Sequence, residues 1–203
     1  MASQWYDLSL HVERRTVRPL ETGEENLCGY LGCHLKFGSP IHDWNPNAWL
    51  RSQSVEDDGN PDDILLEHLG VPTFSRRLRH ALERAGVGQE DIQYLPVHVF
   101  KSTGEELEGY AFANVIARVD ALDYQRTDWG PLPPDPNEGI DPDTGKPQVH
   151  AIWRAGLIEA RLEGHDVIRL VEFFPPVYVS ERFADVYRDG NFTGATLTRV
   201  IMT

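Results

Sequence analysis

The chain has 203 residues, of which 40% are hydrophobic and 10% aromatic, enough to bury a sizeable core and to exclude global disorder. Its 32 acidic residues outweigh 19 basic ones, for a net charge of -13. That field repels phosphate backbones and anionic membrane surfaces and attracts a basic protein or a cation. No apolar run approaches the roughly 18 residues of a membrane span. The opening "MASQWYDLSLHVERRTVRPL" carries charges where a signal peptide needs an apolar stretch. Two cysteines, Cys28 and Cys33, make no disulfide framework, so a cytoplasmic location with reduced thiols is expected.

The pattern "WYDLSLHVE" predicts a strand with Trp5, Leu8, Leu10 and Val12 on its buried face. "CGYLGCHLKFG" reads as a strand or hairpin with tight glycine turns, and "SPIHDWNPNAWLRS" as irregular chain. "VEDDGNPDD" is an acidic turn carrying Asp57, Asp58, Asp62 and Asp63. Ser75 is placed to cap a helix whose apolar face is Leu78, Ala81, Leu82 and Ala85, and Gly86 stands where a helix end favours positive φ. "DIQYLPVHVF" follows as a strand, with Pro96 marking an edge or bulge. "GYAFANVIARVDALD" reads as a strand running towards Val119.

Residues 128–147 then carry six prolines, which exclude a helix or a central strand. They also carry Trp129, Asp135, Glu138, Asp141 and Asp143, against Lys146 alone among basic residues. Beyond them, Trp153, Leu157 and Ile158 fit strand or helix spacing equally, and "DVIRLVE" reads as a buried strand. The ending repeats the middle of the chain. Ser180 precedes a helical run with Phe183, Val186, Tyr187 and Gly190, and "GATLTRVIM" reads as a strand. Ser75/Ser180, Leu78/Phe183, Leu82/Tyr187, Val87/Phe192 and Ile92/Leu197 are pairs 105 residues apart. A helix–Gly–strand unit is thus expected twice.

Chemical motifs are few. Cys28 and Cys33 lack a second pair, so no zinc site is expected. "DPDTGK" lacks the later oxygen ligands of a calcium loop and reads as a turn. There is no nucleophile elbow, no Cys/His signature and no phosphate-cradling glycine loop, and the eight histidines are scattered. The basic run Arg76, Arg77, Arg79, His80 and Arg84 faces away from Leu78 and Leu82, where it solvates the helix and pairs with acidic loops. Trp44, Trp49 and Trp129 are either binding anchors or closures of the core ends.

Three stretches carry a family resemblance. "GVPTFSRRLRHALERAGVGQEDIQYLPVHV", "GYAFANVIARVDALDYQRTDW" and "DVIRLVEFFPPVYVSERFADVYRDGNFTGATL" resemble a bacterial immunity-protein family found beside polymorphic toxins. Its serine-led helix and strand match Ser75 to Val97, its "V-D-x-L-D" strand Asn114 to Asp123, its "I-R-L" strand Val167 to Leu170, and its "V-S-E-x-F…G" segment Val179 to Gly194. The resemblance covers roughly residues 40 to 203. The Pro-rich loop is longer than the family pattern and "GNFTG" is a looser final turn. The resemblance implies an α+β fold with a mixed, mostly antiparallel sheet, no catalytic residues, no cofactor and no metal, and a cognate toxin as partner. The expected organisation is a single domain, with lobes 1–127 and 148–203 about the loop 128–147 as the alternative division. The expected partner-binding residues are Asp57, Asp58, Asp62, Asp63, Trp129, Asp135, Glu138, Asp141 and Asp143. The rival functions are a hydrolase-type enzyme and a homo-oligomeric scaffold.

Overall fold

Two serines fix where the helices begin. In this computed structural model, which describes residues 4–10, 21–22, 35–51, 61–66, 71–130, 149, 151–173 and 176–203, Ser75 Oγ accepts from the Leu78 amide at 3.1 Å and Ser180 Oγ from the Phe183 amide at 3.3 Å. Each serine has extended backbone and satisfies a helix donor that would otherwise be orphaned. After a single helical turn, α1 (Leu35–Phe37), the two capped helices are α2 (Arg76–Ala85) and α3 (Glu181–Asp189). Helix α2 buries Leu78 and Leu82, and α3 buries Phe183, Ala184 and Tyr187. Gly86 ends α2 at φ 64, as its position predicts. In the second unit the left-handed residue is Asn191 at φ 48, whereas Gly190 keeps φ -79. The second unit therefore turns on an asparagine, a residue that tolerates this conformation.

The repetition extends far beyond the helices. The strands are β1 (Trp5–Leu10), β2 (Glu21–Thr22), β3 (Trp49–Arg51), β4 (Ile64–Leu66), β5 (Pro72–Phe74), β6 (Ile92–Pro96), β7 (His98–Phe100), β8 (Glu106–Leu107), β9 (Ala111–Val115), β10 (Arg118–Val119), β11 (Gly156–Leu157), β12 (Val167–Leu170), β13 (Tyr178–Ser180), β14 (Ala195–Arg199) and β15 (Ile201–Met202). One sheet runs β4-β5-β9-β6 and another runs β10-β12-β13-β1-β14. Strand β9 is antiparallel to β5 and β6, and β1 is antiparallel to β13 and β14. Residue by residue, Phe74 faces Ala111 as Val179 faces Tyr6, and Ile92 faces Val115 as Ala195 faces Leu10. At the periphery β7 pairs parallel with β3, and β15 pairs parallel with β11. The His98 amide donates to Ala48 O at 2.9 Å, and the Ile201 amide donates to Ala155 O at 2.8 Å.

The chain is thus two copies of one arrangement: β1-β3-β4-β5-α2-β6-β7, then β9-β11-β12-β13-α3-β14-β15. Each copy's first strand lies in the other copy's sheet, so residues from both sides of the Pro-rich segment share one sheet. The strand register corrects one pairing read from sequence. Ile92 corresponds to Ala195, not Leu197, because Gln89, Glu90 and Asp91 stand where the second copy has Gly194 alone.

A polar exchange accompanies the strand exchange. Asp63 precedes β4 and accepts from Ser75 Oγ at 2.7 Å and from Arg77 at 3.1 and 2.5 Å. It also accepts from the Thr193 amide of the other copy at 3.2 Å. Asp166, preceding β12, accepts from Ser180 Oγ at 2.7 Å, from Arg182 at 2.8 Å and from the Gly88 amide of the first copy at 3.3 Å. Arg77 reaches on to Gly190 O and Asn191 O, and Arg182 to Ala85 O and Gly86 O. Each arginine thereby caps the carboxyl end of the opposite helix, where carbonyls lack partners and the dipole favours a cation.

The central core lies where both helices meet both sheets. Leu78, Leu82, Phe74, Val115, Val167, Val179, Phe183 and Tyr187 pack in one cluster there. A cluster around Leu50, Val97 and Tyr110 belongs to one end, and a cluster around Leu157, Val200 and Trp5 to the other. Arg169 on β12 is enclosed at 1% exposure, and burial pushes its guanidinium down to about 10. The expected strand through "DIQYLPVHVF" is present, but it breaks after Pro96 so that β6 and β7 join different sheets. The stretch towards Val119 breaks likewise at Ile116 and Ala117, whose amides donate to Asp91 O. The ambiguous stretch resolves into the short strand β11 and a 3-10 turn over Glu159–Arg161. Of the predicted face of β1, Trp5 and Leu8 are buried; the Leu10 side chain and Val12 lie outside the described residues.

Two outcomes follow from this packing. Asp63→Asn and Asp166→Asn each leave buried donors and an arginine without their carboxylate, and each should lower unfolding free energy by about 2–4 kcal/mol in urea titrations. Asp7 stands where the second copy has the fully buried Phe112, and desolvation raises its pKa, partly offset by a Ser9 hydrogen bond. An acid with a raised folded-state pKa weakens folding once pH passes its ordinary value, and that penalty fades as pH falls. Asp7→Asn should therefore raise the unfolding midpoint at pH 7, with the gain shrinking in acid.

Candidate functional site

The two copies place similar clefts at the amino ends of α2 and α3. The first, about 540 Å³, is lined by Pro61, Asp63, Arg76, Arg77, His80, Glu106, Glu108 and Tyr110. The second, about 490 Å³, is lined by Trp5, Glu159, Glu163, His165, Asp166, Ser180, Glu181 and Arg182. The first cleft holds three carboxylates and two arginines and the second four and one, and at one equivalent position the charge is opposite, Arg76 in the first and Glu181 in the second. Glu181 is held below the usual carboxylate range, first by the Tyr6 hydroxyl, which donates at 2.7 and 2.9 Å, and then by Arg188 at 3.0 Å.

His165 bonds Asp91 through Nδ1 at 2.7 Å. The other oxygen of Asp91 accepts from the amides of Asp166 and Val167. This resembles part of a hydrolytic site, but the nearby Ser180 hydroxyl is committed to Asp166 and to the Phe183 amide. Each of the described clefts contains one histidine. Among the described residues, no three His, Cys, Asp or Glu side chains converge as metal ligands.

The sequence-predicted binding residues fall into distinct environments. Asp57, Asp58, Asp135, Glu138, Asp141 and Asp143 lie outside the described residues. Asp62 is half-buried and its carbonyl accepts from Tyr110 OH at 2.7 Å. Asp63 is only 7% exposed, with its carboxylate turned into the cross-copy clasp. Trp129 is half-buried, packed at 5.6 Å on Tyr124 with Nε1 donating to Tyr124 O. Trp44 packs edge-on against Phe112 at 5.7 Å and donates to Pro96 O. Both rings close ends of the core.

The aromatic that faces solvent is a different one. Trp153 is 69% exposed, the one exposed large hydrophobic side chain among the described residues. Its amide donates to Asp128 O at 2.9 Å, and the Arg154 amide donates to the same carbonyl at 3.1 Å. Sequence reading gave it no site role because apolar spacing cannot tell an inward tryptophan from an outward one. Arg77, expected to solvate its helix and pair with an acidic loop, does meet Asp63; it also lies 4.2 Å from the Phe192 ring centroid.

Comparison with known proteins gives one positive finding. The family model described as "Immunity protein family (Imm11)" matches residues 13–200. That span begins well before residue 40, where the resemblance in sequence starts, and takes in both copies of the fold except the first strand and the last residues. No curated protein matches the chain.

Proposed function

The chain belongs to the Imm11 immunity protein family, and we propose that it binds a cognate bacterial toxin domain and neutralises it by occlusion. The observation that carries this reading is the family match across both structural copies, residues 13–200. The net charge of -13 supports a partner with a basic binding face, since complementary fields steer association. No helix among the described residues is long and apolar enough to cross a membrane.

The proposed contact surface comprises Asp57, Asp58, Asp62 and Asp63, together with Trp129, Asp135, Glu138, Asp141 and Asp143. Within it, Asp63 acts by holding the start of β4, because its carboxylate already has Ser75, Arg77 and Thr193 as partners. The remaining carboxylates supply the field that meets the toxin. A toxin whose site grips an anionic substrate would meet the same charge in this inhibitor.

Co-expression with the product of the neighbouring upstream gene tests the role. Host survival together with a one-to-one complex is the expected result, and toxicity without rescue or complex would sink the reading. The surface is tested separately by reversing Asp57, Asp58 and Asp62 to lysine, and in a second variant Asp135, Glu138, Asp141 and Asp143. Association should slow by roughly 10-fold or more in each, and a rate that falls with salt should instead rise. Unchanged kinetics in both variants would remove the surface and leave the immunity role standing.

A further inference from the structure

The two copies diverge most usefully in the chain that leads into their matching peripheral strands, β3 and β11. In the first copy this connection packs inward. Leu35 and Ile41 are buried, Trp44 rests on Phe112, and the Ile41 amide and carbonyl both bond the Gln93 side chain. In the second copy the connection carries Trp153, which projects into solvent three residues before β11.

This tryptophan is held in place. Asp128 and Arg154 form an antiparallel bridge, and Asp128 O accepts from both Trp153 N and Arg154 N. Arg154 Nε donates to Arg199 O at 3.0 Å, tying the segment to β14. One face of the indole lies over Gly130, where an added Cβ would stand 2.5 Å from the ring carbons. Gly130 has φ +60, so glycine serves both the backbone and the close approach. Beside it, Trp129 and Tyr124 pack on each other and fix the other side of the turn. The cost of ordering a large side chain on binding is therefore met in the free protein.

We propose that Trp153 is the central anchor of the toxin interface, entering a recess on the toxin that is apolar at its floor and rimmed by lysine or arginine. This rests on the toxin-binding reading above. Exposed, rigid tryptophans near the middle of an interface carry a large share of binding energy. The cationic rim follows from charge. The whole chain is at -13, and complementary fields steer a basic surface towards it.

The test uses the full chain and, as probe, the toxin domain from the adjacent gene carrying an inactivating substitution. Trp153→Ala should weaken Kd by about 30-fold or more, mostly through faster dissociation, while its unfolding midpoint stays that of the wild type. Trp153→Phe should recover part of the loss. Tryptophan emission of the wild type should shift to shorter wavelength on mixing, and Trp153→Ala should lose that shift. Equal Kd for wild type and Trp153→Ala overturns the anchor while leaving the toxin-binding role intact. A concentration-dependent dimer of the free protein that Trp153→Ala abolishes assigns the surface to a second copy and overturns it too. A wild-type chain that fails to bind the probe overturns the toxin-binding reading and the anchor with it.

Discussion

The rest of the structure depends on the exchange of first strands between its two copies. Strand β1 sits between β13 and β14, and β9 sits between β5 and β6. Neither sheet is complete without backbone from the other copy. A central strand has both edges hydrogen-bonded and is expensive to remove, so the exchange makes the two copies one cooperative body. It also brings α2 and α3 side by side, where Leu78, Leu82, Phe183 and Tyr187 share one cluster.

Asp63 and Asp166 reinforce that constraint with directional bonds. Each reads three things at once: its own copy's helix cap, its own copy's arginine, and an amide from the turn after the opposite helix. A hydrophobic interface between two similar units could slide, because similar faces offer similar alternatives. Carboxylates with fixed partners on both sides permit one register. The arginine heads are largely solvated, so their ion pairs add little by Coulomb attraction alone. Their importance lies in satisfying helix-end carbonyls that would otherwise be lost between the copies.

Much of this was legible in the sequence through local rules. Ser75 and Ser180 announced their caps, Gly86 announced its turn, and the spacing of Leu78 and Leu82 announced a helix face. The repeated unit followed from those signals, and the α+β class from the family resemblance. Strand exchange was not legible, because β1 and β9 share almost no side-chain identity: Asp7 occupies the place of Phe112, and Tyr6 that of Ala111. Periodicity says which face of a strand is buried, not which sheet receives it. The role of Asp63 was hidden for a similar reason. An aspartate in an acidic turn looks solvated until the fold brings Thr193 to it from 130 residues away. The binding surface was only partly legible: charge was visible along the chain, whereas the direction of an indole ring was not. Trp44 and Trp153 both stand a few residues before an Ala-x-Leu segment, yet one packs inward and the other faces solvent.

Duplication explains why such a scaffold can hold a variable surface. Structural demands fall on positions that recur, such as the capping serines, the clasp aspartates and the paired arginines. Positions without a counterpart carry no such demand. Arg76 opens α2 beside the first cleft where Glu181 opens α3 beside the second, with the same helix-cap geometry beneath both. A frame held from two sides tolerates opposite charges at equivalent sites, because its stability resides in the exchanged strands and the clasp rather than in the rims. An inhibitor that must follow a changing partner gains from that separation: its contact residues can change sign, size or number while the interlocked sheets stay as they are.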